Sequence, residues 1–147
     1  KARKKFRNIL IHEASQDNTD LEKAIALAKK LKCTKLTVIG GIGTRIDHTL
    51  ANIISLLKIK VPAEIFDETN NIFTVGKKIE LKGKKNDIVS VIPIAKVRGL
   101  TYTGLKWGLE SKDMDTGWLG ISNRITGNKA TIKLKSGKII DIKSRNK

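Results

Sequence analysis

Two carboxylates and a hydroxyl stand together at the predicted start of the first helix. Asp17, Thr19 and Asp20 fall within four residues, just ahead of a stretch with apolar residues at helical spacing. Oxygen ligands of this kind suit Mg²⁺, which usually keeps phosphate oxygens as ligands too. A structural explanation also exists, because Thr19 followed by Glu22 is a capping box and Asp20 complements the helix dipole. Asp17 precedes the cap and has no such explanation.

A glycine-rich segment, 40–48, lies between a predicted strand and a predicted helix. Gly41 and Gly43 allow backbone N–H groups to approach phosphates, and a helix N-terminus adds partial positive charge. The spacing is neither the dinucleotide-binding pattern nor the Walker pattern. Arg45, Asp47 and His48 follow at the turn, where ligands bind in α/β folds. Asp47 as a helix cap and His48 as a partly buried surface histidine are equally good explanations.

A third group of residues lies in the second half of the chain, in the segments 101–107 and 121–123. Trp107 at the end of a predicted strand is either a core residue or a partly exposed stacking surface for a flat heteroaromatic ligand. Cation–π attraction would add to stacking if that ligand carried positive charge. Thr103, Ser122 and Asn123 are polar residues of these two segments that could lie beside such a ligand.

The pattern of elements changes near residue 76, and the chain is predicted to be α/β with a β-rich second half. The first half predicts strands at 8–12, 36–39, 63–66 and 72–75 and helices at 20–31 and 47–58. This alternation favours a layered α/β arrangement with a partial, mainly parallel sheet. The second half predicts strands at 78–81, 88–94, 101–107, 130–134 and 139–142, with a hairpin turn at 136–137. We therefore expect two domains, 1–75 and 76–147, the second a small antiparallel β domain that is either a sandwich or a barrel.

Composition narrows the function classes. The formal net charge of +16 over 147 residues raises the case for polyanionic partners. However, most basic residues are scattered lysines and aromatic residues make up 4%, so nucleic-acid binding is not favoured. The single cysteine excludes an internal disulfide and a cysteine-based zinc site. No apolar run is long enough for a membrane span and no signal peptide is evident, so a cytoplasmic location is expected.

Taken in order along the chain, the motifs resemble those of thiamine pyrophosphokinases. The segments that carry the resemblance are D-x-T-D (17–20), GGIGTRIDHTLAN (40–52), SVIPI (90–94), TGLKW (103–107) and SN (122–123). The resemblance implies transfer of a pyrophosphoryl group from ATP to thiamine, giving thiamine diphosphate and AMP, with Mg²⁺. It also implies an α/β nucleotide-binding domain followed by a β-sandwich, in a homodimer with each active site at the subunit junction.

The resemblance also implies roles for individual residues. Asp17 and Asp20 are expected to bind magnesium, and together with Arg45 and Asp47 they form the expected catalytic set. The residues expected to bind ATP are Thr19, Gly41, Gly43, Arg45, His48 and Asn52. The residues expected to bind thiamine are Trp107, Ser122, Asn123 and Thr103.

The chain departs from the family pattern in three respects. The family's upstream segment, with an Asp-x-Asp pair that also binds magnesium, is absent from these residues, so we expect little or no kinase activity if this chain acts alone. Thr44 stands where many members have glycine, and Arg124 follows Ser-Asn where bacterial members often have an acidic residue. Two alternatives remain open: a basic β-domain module that binds nucleic acid without catalysis, and a non-catalytic dimerisation fragment.

Overall fold

The structure is a computed structural model that describes residues 17–117 and 119–144. The chain divides into two compact units, one ending at Lys32 and the other beginning at Cys33. The predicted strand at 8–12 lies outside the described residues. The first unit contains helix α1, Asp20–Lys30, with Thr19 as its N-cap and Ile25 as its buried residue. The predicted helix is therefore confirmed, to within one residue at its C-terminal end.

The second unit contains one helix, α2 (Ile46–Leu56), and ten strands among its described residues. The strands are β1 (Leu36–Ile39), β2 (Ala63–Phe66), β3 (Asn70–Val75), β4 (Lys78–Lys82), β5 (Ile88–Pro93), β6 (Val97–Thr103), β7 (Leu109–Met114), β8 (Gly120–Arg124), β9 (Lys129–Lys133) and β10 (Ile139–Ser144). They form a six-stranded sheet in the order β1-β2-β3-β10-β5-β8 and a four-stranded sheet in the order β4-β9-β6-β7.

The six-stranded sheet is mixed, and the expectation of a mainly parallel sheet is wrong for the described residues. The parallel pair is β1 with β2, whose connection contains α2. The next strand, β3, returns antiparallel to β2 after the short turn 67–69, because a turn of this length cannot carry the chain back for parallel pairing. β10 then pairs antiparallel with both β3 and β5. The coarser α/β expectation is confirmed.

One hydrophobic cluster joins the two sheets. It includes Val75, Val91 and Ile139 from the six-stranded sheet and Leu100 and Ile132 from the four-stranded sheet. Side chains alternate across each strand, so each sheet contributes one face to this shared core. The six-stranded sheet contains strands from both sides of residue 76, and the division into domains 1–75 and 76–147 stays a prediction.

Several strands of the second half differ from the predicted ones. β6 is Val97–Thr103 rather than 101–107, and β7 and β8 were not predicted. The predicted hairpin at 136–137 is wrong, because β9 and β10 belong to different sheets. Both helices in the described part of the chain have 11 residues, and neither has the length and apolar character needed to cross a bilayer.

Candidate functional site

The glycine-rich turn after β1 has a backbone shape that requires glycine. Gly40 has φ +75°, in the left-handed region, where a side chain is unfavourable. Gly41 is buried, and a Cβ at this position would lie 3.0 Å from Ile65 Cγ2 and 3.1 Å from Val38 Cγ1. The first glycine therefore turns the chain and the second packs it against the sheet.

Side chains of α2 hold this turn in place. The Thr49 hydroxyl accepts a hydrogen bond from Gly43 N (3.1 Å) and donates one to Gly43 O (3.2 Å). Asn52 Nδ2 donates to Gly41 O at 2.9 Å. The Asn52 amide thus contacts the loop that carries the candidate phosphate-binding residues. Thr49 was not predicted as a site residue, although its hydroxyl in the first turns of the helix was a usable signal.

Arg45 and Asp47 form a bidentate ion pair at the start of α2. Arg45 Nε donates to Asp47 Oδ1 at 3.2 Å and Nη2 donates to Oδ2 at 2.5 Å. This bond to Arg45, followed by the backbone N–H of His48, lowers the pKa of the Asp47 carboxyl. Arg45 is the N-cap, so Asp47 lies in the first turn and is not the cap. His48 is exposed rather than partly buried.

The acidic group before α1 has the predicted helix-capping geometry. Thr19 Oγ1 accepts from Glu22 N at 3.2 Å, and Thr19 N donates to Glu22 Oε2 at 3.1 Å. Asp17 and Asp20 are exposed, and Asp20 lies 3.9 Å from Lys23 Nζ. Within residues 17–117 and 119–144, no three His, Cys, Asp or Glu side chains form a group that could hold a metal ion.

The segment after β6 holds Trp107 at the surface. Gly104 has φ +75°, and a Cβ there would lie 2.5 Å from Lys129 O, so β6 ends in a turn that excludes other residues. Leu105 then enters the core, 6% exposed, and bridges to Ile125. Trp107 is 54% exposed. The core interpretation of Trp107 is therefore wrong, and its indole is available for stacking.

A buried amide fixes the backbone of Trp107. Asn123 is 2% exposed. Its Oδ1 accepts from Trp107 N at 3.1 Å, and its Nδ2 donates to Trp107 O at 2.7 Å. The same Oδ1 accepts from Arg124 N at 2.9 Å. Asn123 therefore acts on the loop that carries the indole, and a direct contact with a ligand stays a prediction.

The other two polar residues predicted near Trp107 are exposed. Ser122 has φ +58°, lies at the irregular pairing of β8 with β5, and donates its N–H to Ser90 Oγ at 3.1 Å. Thr103 is the last residue of β6. Lys106 was not predicted, and its Nζ lies 4.8 Å from the centroid of the Trp107 ring system. Its position next to Trp107 in the sequence gave no sign of that contact.

Comparison with known protein families gives two matches that follow each other along the chain. Residues 1–66 match the family described as "Thiamin pyrophosphokinase, catalytic domain". Residues 77–139 match "Thiamin pyrophosphokinase, vitamin B1 binding domain".

Individual relatives agree with these matches. The chain is 30% identical over 141 residues to the thiamine pyrophosphokinase of Bacillus subtilis, covering 91% of this chain and 66% of the relative. It is 26% identical over 155 residues to thiamin pyrophosphokinase 1 of Caenorhabditis elegans, covering 93% of this chain and 63% of the relative. The crystal structure of the Bacillus subtilis enzyme superimposes with a TM-score of 0.82 at 26% identity, covering 90% of this chain and 66% of that one. The chain thus spans slightly less than two thirds of the curated relatives' length, and by its two domain matches it belongs to the thiamin pyrophosphokinase family.

Proposed function

We propose that the protein is, or is part of, an ATP:thiamine diphosphotransferase that converts thiamine and ATP into thiamine diphosphate and AMP. The family matches support this activity, and one structural observation supports it most directly: an exposed indole on a backbone fixed by a buried amide. A rigid, exposed aromatic ring suits a flat cationic substrate such as thiamine.

The glycine turn and the start of α2 have the properties that a nucleotide-phosphate site needs. Backbone N–H groups at a helix N-terminus favour anions, and the turn is held rigid by Thr49 and Asn52. The Arg45 guanidinium uses Nε and Nη2 on Asp47, so its Nη1 edge is directed elsewhere and suits a phosphate oxygen. The hydrogen bond from Arg45 lowers the pKa of the Asp47 carboxyl, so the pair favours the ionised carboxylate, and the carboxylate orients Arg45.

Asp17 and Asp20 are the residues that would hold a divalent metal, with magnesium as our proposal. Both carboxylates are exposed oxygen ligands, which fits a cation that binds one or two carboxylates and completes its shell with water and phosphate. When bound, such an ion neutralises charge on the transferred phosphoryl group. Thr19 contributes by capping α1, which fixes the backbone between the two acids.

At the other end of the transfer, Trp107 would bind the thiamine rings and leave the hydroxyethyl oxygen free to attack the β-phosphorus. The O–P bond forms as the hydroxyl proton is released to solvent and the bond from that phosphorus to the AMP oxygen breaks, and AMP leaves. In-line attack requires the alcohol to be held still, and the two hydrogen bonds between the Asn123 amide and the Trp107 backbone serve that need. Ser122 and Thr103 are proposed to contact the same substrate.

A pair of matched arginine variants tests the phosphate site in the natural polypeptide at its full length. Arg45→Gln should lower kcat for thiamine diphosphate formation by about 100-fold, the usual cost of losing one charge-stabilising donor. Arg98 is a good control, because it forms a comparable exposed pair with Asp113 at 2.6 Å. Turnover should survive Arg98→Gln, and equal losses in both variants would count against the phosphate site.

The indole is tested separately through thiamine affinity. Trp107→Ala should raise the KM for thiamine by about tenfold, while the KM for ATP changes little. Trp107→Phe should recover part of the loss because it keeps an aromatic face. An unchanged thiamine KM in the alanine variant would remove Trp107 from the binding site.

The finer architecture that we propose is a nucleotide-binding layer followed by a thiamine-binding β-sandwich, in a homodimer. An apolar groove of about 710 Å³ between α2 and the six-stranded sheet supports self-association. Its exposed members include Leu50 (55% exposed), Ile54 (47%) and Ile121 (51%). The cytoplasmic location expected from the sequence stays a prediction.

Sedimentation of the natural polypeptide tests the dimer. Wild type should sediment as a dimer, and Ile54→Lys should shift it to monomer because a charge in a closed apolar interface is costly. Leu31 is an exposed apolar residue at the end of α1 (64%), so Leu31→Lys is the control for surface charge. A monomeric wild type would refute the homodimer, and a dimer unaffected by Ile54→Lys would assign the groove to another segment of the protein.

A further inference from the structure

We propose that a cavity in the second half of the chain binds an oligophosphate anion, and that its occupancy moves Lys106 off the ring of Trp107. The cavity has a volume of about 510 Å³ and is lined by Lys85, Asn86, Lys106, Arg124, Ile125 and Thr126. A water molecule occupies roughly 30 Å³ of liquid volume, so the cavity has room for a group much larger than a single small ion. The assignment does not depend on diphosphoryl transfer.

The charged residues that line the cavity are all positive. Three of the six residues are cationic, and no carboxylate is among the described residues that line the cavity. The nearest acid in sequence, Asp87, accepts from Lys84 N at 3.0 Å and pairs with Lys143 Nζ at 3.0 Å. The charge of Asp87 is therefore engaged by other partners, and the described residues of the cavity wall include no carboxylate that could neutralise these cations.

Backbone hydrogen bonds hold the cavity wall in shape. Asn86 N donates to Ile125 O at 2.8 Å, Lys106 N donates to Arg124 O at 2.8 Å, and Thr126 N donates to Gly104 O at 3.0 Å. Arg124 Nη1 also donates to Asn86 O at 3.3 Å. Binding to a wall that is already ordered costs less entropy than binding that must order it.

These groups select oligophosphates among anions. Arg124 has five N–H donors and uses one on Asn86, so a planar pair remains for two oxygens of one phosphate. Lys85 and Lys106 are compact point charges that suit further phosphate oxygens, and the Thr126 hydroxyl can donate as well. Free diphosphate and the phosphate chain of a nucleotide share this chemistry.

Lys106 connects the cavity to the indole. Lys106 is one of the residues that line the cavity, and its Nζ lies 4.8 Å from the Trp107 ring centroid. An ammonium group over one face of the ring competes with any flat cation for that face. An anion in the cavity attracts this ammonium, so it frees the ring, and by linkage a flat cation on the ring strengthens anion binding by the same factor.

Calorimetric titrations of the full chain with diphosphate and, separately, with ATP test the site, in EDTA and at low ionic strength. Arg124→Gln and Lys85→Gln should each weaken binding by about tenfold, because each removes a charge-assisted contact. Lys133→Gln removes the same unit of charge at an exposed position of β9 and should change binding by less than about twofold. If the affinities for diphosphate and for ATP both depend on Arg124, the site recognises the phosphate chain that the two compounds share. If only one affinity depends on Arg124, that compound is the ligand of the site.

Fluorescence gives the second readout. In a protein with Trp118→Phe, Trp107 is the remaining tryptophan of two. Diphosphate should change its emission in this protein, but not when Lys106→Met is added. Equal weakening by Lys133→Gln and Arg124→Gln would reduce the site to general charge attraction and overturn the proposal. Loss of binding in Arg45→Gln alone would also overturn it, while leaving the proposed phosphate-transfer site intact.

Discussion

Replacing Asp141 by asparagine should stabilise the protein at neutral pH. Asp141 lies on β10 and is 0% exposed, and neither carboxylate oxygen has a hydrogen-bond partner. Strand alternation puts it on the same face of β10 as the core residue Ile139. Burial raises the pKa of the Asp141 carboxyl to about 8, so the folded protein carries it in the neutral form at pH 7.

The sign and size of this change in the free energy of unfolding follow from proton linkage. In the unfolded chain an aspartate has a pKa of about 3.9, so between pH 4 and pH 8 the folded state binds a proton that the unfolded state releases. Stability therefore falls as the pH rises through this window, by about 1.4 kcal/mol per pH unit. By about pH 8 the free energy of unfolding of wild type has fallen by about 5 kcal/mol because of Asp141. The asparagine variant does not show this fall, because its side chain does not ionise.

Urea unfolding of both proteins at about pH 5, 6 and 7 measures the effect. The free energy of unfolding of Asp141→Asn should exceed that of wild type by a margin that grows by about 1.4 kcal/mol with each pH unit. Asp113 is the matched control, because its pKa shift has the opposite sign and its effect on stability has the opposite pH dependence. The Gly99 N–H and then Arg98 lower the pKa of the Asp113 carboxyl, so its contribution to stability is present above the unfolded pKa and is lost as the pH falls. A pH-independent margin for Asp141→Asn would refute the neutral buried acid.

Three further outcomes are expected. Burial and then the Asp141 charge raise the pKa of Tyr102 to about 12; since the chain has one tyrosine, an absorbance titration of the folded protein reads it directly, and Asp141→Asn should lower it. Asn123→Ala removes two hydrogen bonds to the Trp107 backbone and a third from Arg124 N, and should cost about 3 kcal/mol in urea unfolding, with a change in tryptophan emission. Gly104→Ala should lower the melting temperature strongly, because a Cβ there would lie 2.5 Å from a backbone carbonyl and φ is +75°. Gly127→Ala, where nothing lies within 4 Å, should not.

Elements with a clean hydrophobic period were predictable from the sequence to within a residue or two. β1 and β2 are Leu36–Ile39 and Ala63–Phe66 as predicted, and α1 begins at Asp20 behind its Thr19 cap. Each of these signals is local, because it depends on residues at most four apart. The motifs of the candidate site are local in the same sense.

The strands that were missed lack such a period. β7 (Leu109–Met114) is exposed along most of its length, so no apolar alternation marks it. β8 (Gly120–Arg124) contains Ser122 in a left-handed conformation, and its pairing with β5 is irregular. A bulge shifts side chains from one face to the other, which hides a strand from any test of period 2.

Pairing between strands was also beyond the sequence signals. Ser136 and Gly137 mark a turn, and Gly137 has φ +102°. A turn motif predicts that the chain reverses direction, but it does not predict which strands then pair. β9 pairs with β4 and β6, while β10 pairs with β3 and β5. Which strands pair depends on how side chains that are far apart in the sequence are buried together in the shared core.

The two asparagines of the family pattern show what such a pattern can encode. Both were predicted as ligand-binding residues, one for each substrate. Asn52 donates its amide to Gly41 O, and Asn123 uses both its oxygen and its nitrogen on the Trp107 backbone. An amide side chain can satisfy a backbone donor and a backbone acceptor at once, so an asparagine beside a loop can fix the shape of that loop. Residues that hold the glycine turn and the indole loop are as necessary to the candidate site as residues that touch a ligand, and a sequence motif alone does not distinguish the two.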